Sequence, residues 1–294
     1  MTGRPGSKTR TRVLTVTGSE PHTRSDELAT EEPLEIRVVS RTTATVAVTM
    51  RTPGADFELA AGFLYGEGVL TGRDDVTRIA YCTDPEVDAE QQYNVVSVGL
   101  AAGALPDLRA LERHFMTSSA CGVCGKASLQ ALELRGCPVV PPGPVVDPAV
   151  LTSLPAALRE AQGLFESTGG LHAAGLFTPD GGLVALREDV GRHNAVDKLV
   201  GWALLQGRLP LHDHLLMVSG RSSYEILQKA LAAGIPFVCA VSAPSSLAVA
   251  LARRFGMTLV GFLRGERFNV YAGEERLALP VAPGPGRSRT PPPR

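Results

Sequence analysis

Strands and helices alternate at short spacing along the second half of the chain, and this alternation restricts the fold more than any other feature. A helix is predicted over residues 149–165 and a hairpin over residues 172–188. Apolar runs typical of strands then separate runs typical of helices. The predicted elements are helix 193–206, strand 214–219, helix 223–233, strand 236–241, helix 245–255, strand 257–263 and strand 268–272. Such an order favours a layered α/β sheet with right-handed crossovers.

A proline-rich connector precedes this region. Five prolines lie between residues 138 and 148, a composition that cannot continue a helix. Residues 31–137 contain mainly short strand-like runs and are predicted to form a smaller, mainly β N-terminal domain, and residues 149–280 form the α/β domain. Residues 1–30 and 281–294 show no apolar periodicity, so we predict a disordered basic arm and a disordered proline-rich tail.

The net charge of −1 conceals basic ends and an acidic body. Residues 1–24 carry a net charge of +4 and residues 281–294 carry +3, which leaves −8 for residues 25–280. Because binding to nucleic acid depends on clustered cations, this distribution argues against a nucleic acid partner. The polar N-terminus has no apolar stretch typical of a secretory signal, and glycine, prolines and serines interrupt the uncharged residues 230–252. A cytoplasmic protein without a membrane span is therefore expected.

Cys121 and Cys124 belong to the most informative motif, Cys-Gly-Val-Cys-Gly-Lys. Residues 126–135 are rich in helix formers, so the pair is predicted at the start of a helix. Free backbone N–H groups and the helix dipole there favour the thiolate, and Lys126 adds a positive charge. A reactive thiol is favoured over a structural zinc site, which needs a second close pair of ligands, and over a thioredoxin-type motif, which follows a strand.

Three predicted strand-to-helix junctions carry small and polar residues that suit an anionic ligand. In an open α/β sheet such junctions meet at the carboxyl ends of the strands, where helix N-termini present free N–H groups. Arg192 and Arg221 can bind a phosphate through two hydrogen bonds each. Ordinary helix capping explains any single junction, but the three together predict a phosphorylated ligand of dinucleotide size. The candidate residues are Asp189, Arg192, His193, Asn194, Ser219, Gly220, Arg221, Ser222 and Ser223, with Ser242, Ser245 and Ser246 in the third junction. Residues 168–172, which include His172, form a further wall.

These motifs together resemble the formate dehydrogenase accessory sulfurtransferase (FdhD) family. The similarity extends in order over residues 33–273. It is carried by residues 121–126, 168–172, 188–198, 219–223, 242–246 and 261–271. The resemblance implies an α/β fold (α+β overall) with a cytidine-deaminase-like layered C-terminal domain and a smaller, mainly β N-terminal domain. It also implies a homodimer.

The function that the resemblance implies is that of a cytoplasmic sulfur carrier. Such a protein accepts persulfide sulfur from a cysteine desulfurase and delivers it to the molybdenum or tungsten bis-pterin guanine dinucleotide cofactor, Mo-bis(molybdopterin guanine dinucleotide), which formate dehydrogenase requires. Carried over to this chain, Cys121 holds the persulfide, and Cys124 assists the transfer or receives sulfur itself. The cofactor is cargo, and no permanently bound metal is expected. The residues that match the cofactor-binding segment of the family are Phe262, Leu263, Arg264, Gly265, Glu266 and Arg267.

Two other functions compete with this interpretation. A zinc-dependent deaminase needs a His-x-Glu pair and a later Pro-Cys-x-x-Cys motif. Here His172 is followed by two alanines and Ala120 precedes Cys121, so we reject that class. A non-catalytic chaperone that binds the cofactor and the dehydrogenase, with purely structural thiols, stays open as the alternative.

Overall fold

The computed structural model describes residues 6–82, 91–101, 129, 132 and 137–279. In this part of the chain, twelve strands form sheets of two, four and six strands. The mixed α/β fold class predicted from the alternation is thereby confirmed. Within the same ranges, no helix is both long enough and apolar enough to cross a lipid bilayer.

The predicted disorder of residues 1–30 is corrected for most of that segment. Strands β1 (Lys8–Thr17) and β2 (Glu20–Ala29) form an antiparallel hairpin in continuous register. Six of the ten residues in β1 are threonine or valine, which favour extended backbone even where the side chains are polar. Gly18 takes a positive φ of 64° in the turn. The hairpin also packs against a later helix, a contact that local periodicity does not reveal.

The four-stranded sheet and one helix form the first core. The sheet has the order β4-β3-β6-β5, and only β3 and β6 pair in parallel. Helix α1 (Asp56–Gly66) packs its buried leucines against the apolar face of β3. This arrangement agrees with the strand-like runs expected here. The strands are β3 (Glu32–Val39), β4 (Thr43–Arg51), β5 (Val76–Tyr81) and β6 (Val95–Leu100).

The six-stranded sheet carries the predicted alternation. Its order is β12-β11-β10-β9-β7-β8, in which β9, β10 and β11 are parallel and the outer strands pair in antiparallel fashion. The strands are β7 (His172–Phe177), β8 (Leu183–Asp189), β9 (Leu215–Val218), β10 (Phe237–Ala240), β11 (Thr258–Arg264) and β12 (Arg267–Ala272). The helices are α2 (Pro148–Ala161), α3 (Gly163–Thr168), α4 (Arg192–Leu205), α5 (Tyr224–Ala232) and α6 (Ser246–Arg254).

Helices cover both faces of this sheet. Leu216 and Val218 of β9 face a core shared with α4, α5 and α6, whereas Leu215 and Met217 face a core shared with α2. Every residue of β9 and β10 is buried, as expected for central strands covered on both sides. The single helix predicted over residues 149–165 is two helices, which meet at Gln162. Residues 137–147 contain no helix or strand, and their role as a domain connector stays a prediction.

Helices α1 and α4 join the two larger sheets. They cross at Gly62 and Gly201, where each glycine lies directly against the backbone of the other helix. The Tyr65 hydroxyl donates a hydrogen bond to the carbonyl oxygen of Ala232 across a distance of 3.0 Å. Arg187 on β8 donates from Nη2 to Oε1 of Glu58 on α1 at 2.8 Å. These contacts fix the position of the first core relative to the carboxyl ends of the strands in the larger sheet.

Candidate functional site: a polar crevice at the ends of the strands

The three junctions lie together at one edge of the six-stranded sheet. Strands β8, β9 and β10 end there, and β7 begins there, since His172 pairs with Asp189. Ser222 and Pro244 form a bridge between the second and third junctions. The Phe262 N–H donates to the carbonyl oxygen of Ser242 at 3.1 Å, which brings the β11–β12 hairpin to the same edge. We call this edge the crevice.

A pocket of about 500 Å³ opens at the crevice. Part of its wall comes from predicted residues, namely His172 and Ser219. Gly169, Gly170 and Leu171 belong to the further wall predicted at residues 168–172, and Val241 follows β10. The rest comes from α2, α3 and the link between them, which the sequence did not assign to the site. Arg159 lies with its guanidinium carbon 4.0 Å from the ring centroid of Phe165, a cation–π contact. The additional lining residues are Pro155, Leu158, Arg159, Gln162, Phe165, Gly169, Gly170, Leu171 and Val241.

Three buried polar atoms at or beside the crevice have no hydrogen-bond partner among the described residues. They are Nε2 of Gln162, Nε of Arg192 and Oγ of Ser222. Gln162 is 4% exposed and Ser222 is fully buried. A buried polar atom without a partner costs about 1 to 3 kcal/mol, so folded proteins rarely leave several of them in one place. This concentration indicates a site shaped for a polar ligand, with at least one acceptor for the donors of Gln162 and Arg192.

His172 and Gly220 face each other beside Arg192. A Cβ atom added to Gly220 would lie 3.4 Å from Nδ1 of His172 and 3.9 Å from Cδ of Arg192. Glycine therefore keeps the space between these side chains open. Burial lowers the pKa of His172, and the positive charge of Arg192 acts in the same direction, so the ring is neutral at neutral pH. Arg221, next to Gly220, is exposed.

Asp189 and Asn194 serve the protein itself. The fully buried Asp189 carboxylate lies 2.6 Å from Nζ of Lys198 and accepts hydrogen bonds from the N–H groups of Thr52 and Gly191. Asn194 donates from Nδ2 to Asp189 at 3.0 Å and to the carbonyl oxygen of Met50 at 2.7 Å. These contacts tie the loop after β4 to the first junction. Both residues were predicted to touch the ligand, and this stays a prediction. In the structure their polar atoms contact protein groups beneath the junction.

His193 links two residues of the next helix. Its Nε2 atom lies 3.0 Å from Oγ of Ser223, and its Nδ1 atom lies 3.0 Å from Oε2 of Glu225. Burial lowers the pKa of His193 to about 3, and the positive charges of Arg192 and Lys229 contribute. The ring is therefore neutral, with Nδ1–H donating to the carboxylate and Nε2 free to accept from the serine hydroxyl. Ser223 was part of the second predicted junction, but its contact with His193 was not predicted because a serine before a helix resembles an ordinary cap. Glu225 was not singled out from the sequence.

The predicted cofactor-binding segment divides between the core and the surface. Phe262 has a φ of +53° and is 40% exposed, an unusual backbone conformation for a bulky residue. It is accompanied by an irregularity in the register between β11 and β12. Leu263 is fully buried in the core below, so only its backbone is available to a ligand. Arg264 donates from Nε to the carbonyl oxygen of Val241 at 3.0 Å. Gly265, Glu266 and Arg267 are exposed around the turn.

Cys121 and Cys124 lie outside the described residues. The next described positions, Leu129 and Leu132, are helical, and Leu132 is buried in the core that α4, α5 and α6 share. The helix predicted over residues 126–135 therefore has two described positions that agree with it. Among the residues that the structure describes, no group of three or more His, Cys, Asp or Glu side chains is arranged to hold a metal ion.

This combination of a layered α/β sheet, a polar crevice and the motifs around it defines one class of protein. Residues 29–278 match the sequence model of the FdhD/NarQ family, and the chain belongs to that family.

Particular relatives carry a more specific name. The chain is 55% identical over 280 residues to the sulfur carrier protein FdhD of Streptomyces avermitilis, a match that covers 94% of this chain and 98% of that protein. It is 51% identical over 271 residues to the sulfur carrier protein FdhD of Mycobacterium tuberculosis, covering 90% and 97% of the two chains. The crystal structure of a putative formate dehydrogenase accessory protein from Desulfotalea psychrophila is similar with a TM-score of 0.68 and 26% identity, covering 92% of this chain and 99% of that one.

Proposed function

We propose that this protein is a sulfur carrier that accepts persulfide sulfur from a cysteine desulfurase and transfers it to the Mo-bis(molybdopterin guanine dinucleotide) cofactor of a formate dehydrogenase. The observation that carries the proposal is the family match over residues 29–278, which includes both the cysteine pair and the crevice. The relatives are named sulfur carrier proteins, and the similar crystal structure is titled a formate dehydrogenase accessory protein. We further propose that the protein works as a homodimer in the cytoplasm.

The crevice supplies what an anionic dinucleotide cargo requires. The donors at Gln162 and Arg192 are buried and have no acceptor within the described ranges, and phosphate or nucleobase oxygens are acceptors. The N-terminus of α5 lies at the same edge, next to the exposed Arg221. Helix N-termini and arginines are the groups that proteins commonly use to bind pyrophosphate. We infer that Arg192 and Arg221 contact the phosphates and that the pocket around Phe165 receives a ring of the cargo.

The proposed sulfur transfer is two exchange reactions. In the first, the Cys121 thiolate attacks the terminal sulfur of the desulfurase persulfide, the sulfur–sulfur bond breaks, and the desulfurase thiolate leaves. In the second, the Cys124 thiolate attacks the Cys121 sulfur, which forms a disulfide and releases the outer sulfur as sulfide to the metal of the cargo. The cysteine pair supplies the two electrons, and a cellular thiol reductant must reduce the disulfide before the next cycle.

Sulfur loading can be measured directly. After incubation with a cysteine desulfurase and cysteine, we expect a mass gain of one sulfur atom that cyanide removes and that maps to residues 116–130. The gain is expected to disappear in Cys121→Ala and to persist in the control Cys82→Ala, because Cys82 lies outside the motif. If neither Cys121 nor Cys124 acquires sulfur, the carrier function is wrong.

The carrier and chaperone functions predict opposite effects of Cys121→Ala on formate dehydrogenase activity in cells. A carrier with Cys121→Ala yields no active formate dehydrogenase although the variant folds and binds guanosine diphosphate. A chaperone with the same substitution yields full activity. Formate dehydrogenase activity in cells complemented with this variant therefore separates the two functions.

Arg192→Ala is expected to weaken guanosine diphosphate binding by about 10- to 100-fold, the effect of losing one charge-assisted hydrogen bond of about 1.5 to 3 kcal/mol. Isothermal titration calorimetry measures the change. The control is Arg253→Ala, since Arg253 lies in the last turn of α6, at the end away from the crevice. An unchanged affinity in Arg192→Ala would remove this arginine from the site.

A further inference from the structure

Two serines begin equivalent helices at the crevice but are used differently. Ser223 precedes α5 and Ser245 precedes α6, and both have extended backbone, with φ of −81° in each case. The Ser245 side chain makes the expected capping contact and accepts a hydrogen bond from the Ala248 N–H at 3.2 Å. The Ser223 side chain makes no such contact. Its hydroxyl instead lies against His193, so its position needs another explanation than helix capping.

The three side chains Ser223, His193 and Glu225 form a chain of two hydrogen bonds. Each heavy-atom distance, from serine oxygen to imidazole and from imidazole to carboxylate, is 3.0 Å. The Glu225 carboxylate accepts a hydrogen bond from Nδ1–H of His193. It thereby favours the tautomer in which Nε2 carries no proton and can accept one from the serine hydroxyl. A nucleophile, a base and a carboxylate that orients the base are the three parts of a serine-nucleophile site, which is recognised by geometry and not by sequence order.

The surroundings supply the remaining parts of such a site. Helix α5 begins directly after Ser223, and the positive end of its dipole favours a developing oxyanion at this position. The neighbouring Ser222 hydroxyl is fully buried without a partner among the described residues, a second sign that a polar group belongs here. Arg192 and Arg221 lie in the adjoining residues of the two junctions. These cations favour a substrate that carries a carboxylate or phosphate.

The charge of Arg192 also affects the pKa of His193, the proposed base. Its positive charge is one cause of the low pKa of His193, after burial. An anion bound to Arg192 offsets that charge and raises the pKa of His193, which makes the imidazole a stronger proton acceptor. Lys229 and His172 contribute in the same direction as Arg192, and the Glu225 carboxylate faces the ring from α5.

We propose that Ser223 is an activated nucleophile that hydrolyses esters or thioesters of small anionic molecules at the crevice. The serine oxygen attacks the acyl carbon while its proton moves to Nε2 of His193. The bond from the acyl carbon to the leaving oxygen or sulfur breaks, and the leaving group takes the proton from the imidazole. Water then attacks the acyl-serine, His193 accepts a proton from it, and the carboxylic acid and free Ser223 are released. His193 acts as the base, and Glu225 is a positioning residue.

A fluorophosphonate probe tests this reactivity in the full-length protein. The serine oxygen displaces fluoride, and we expect one covalent adduct per chain, mapped by mass spectrometry to Ser223. Ser223→Ala is expected to abolish the adduct, and His193→Gln to slow its formation by about 100-fold or more, the usual contribution of a positioned base. Ser153→Ala is the control and is expected to label at the normal rate, since Ser153 is exposed on α2 and its hydroxyl donates to the carbonyl oxygen of Val150.

The pH profile distinguishes a base from a structural histidine. With a neutral His193 the labelling rate of the native protein is expected to stay nearly constant across the neutral range. In His193→Gln the rate is expected to rise with pH, because ionisation of the serine must then replace the base. Glu225→Gln is expected to reduce the rate less, since Glu225 is largely exposed. Circular dichroism establishes that each variant is folded.

Two results would overturn the proposal: no adduct on Ser223 in the folded native protein, or an adduct whose rate is the same in folded His193→Gln. The test does not depend on sulfur transfer. Loading of Cys121 and labelling of Ser223 are separate measurements, so either function can fail while the other stands.

Discussion

Replacing Gly62 by alanine is expected to destabilise the protein by about 3 kcal/mol or more, at the upper end of the cost of overpacking. A Cβ atom at this position would lie 1.9 Å from the carbonyl oxygen of Asp197 and 2.7 Å from the backbone nitrogen of Gly201. Both atoms belong to the backbone of α4, so no side chain can rotate away. Helices α1 and α4 would have to separate, and the contacts of the first core with the larger sheet would weaken.

The measurement is urea unfolding followed by circular dichroism. Gly201→Ala is expected to give a similar loss, because its Cβ atom would lie 1.8 Å from the carbonyl oxygen of Glu58. Gly163→Ala is the matched control, since Gly163 is also helical and an added Cβ atom meets nothing within 4 Å. Equal unfolding midpoints for Gly62→Ala and Gly163→Ala would show that the two helices do not cross as closely as described.

Lys198→Met is expected to cost about 3 to 5 kcal/mol of stability, because it leaves the buried Asp189 carboxylate without its counter-ion. The side chains of Lys198 and Asp189 are 2% and 0% exposed and 2.6 Å apart. Lys198 also donates to the carbonyl oxygen of Thr52 at 2.9 Å, so the substitution loses a contact to the loop after β4 as well. Methionine retains most of the volume, which separates the effect of charge from that of a cavity.

Lys8→Met provides the comparison. Lys8 and Glu27 form an ion pair in the β1–β2 hairpin at 3.3 Å, with side chains 36% and 32% exposed. Exposed pairs contribute about 0 to 1 kcal/mol, so this variant is expected to unfold at nearly the native urea concentration. If Lys198→Met were as stable as Lys8→Met, the buried pair would not be what holds the first junction in place.

Most of the order of elements could be predicted from local patterns. The strands and helices after residue 171 begin and end within about two residues of the predicted positions, since alternating apolar runs reflect which faces of each element are buried. The division of residues 149–165 into α2 and α3 was not predicted, because the helical pattern continues through Gln162. The β1–β2 hairpin was missed because its strands carry polar and β-branched side chains without an apolar face.

The candidate site, too, was predicted only in part. The sequence identified the three junctions, since small and polar residues between a strand and a helix form a local pattern. It assigned Asp189 and Asn194 to the ligand, whereas the structure gives their polar atoms to Lys198, Thr52 and Met50. Their partners Met50, at the end of β4, and Thr52, directly after it, are more than 130 positions away in the chain, and no local pattern specifies such a pairing.

Local sequence was sufficient to predict most of the element order, the polar chemistry at the strand ends and the cysteine motif, because each depends on residues close together in the chain. Three features became visible only in the folded chain: α2 and α3 line the pocket, Phe262 is exposed while Leu263 is buried, and Ser223 contacts His193 instead of capping its helix. Each of these depends on how separate elements pack, and packing is set by contacts between residues that are distant in sequence.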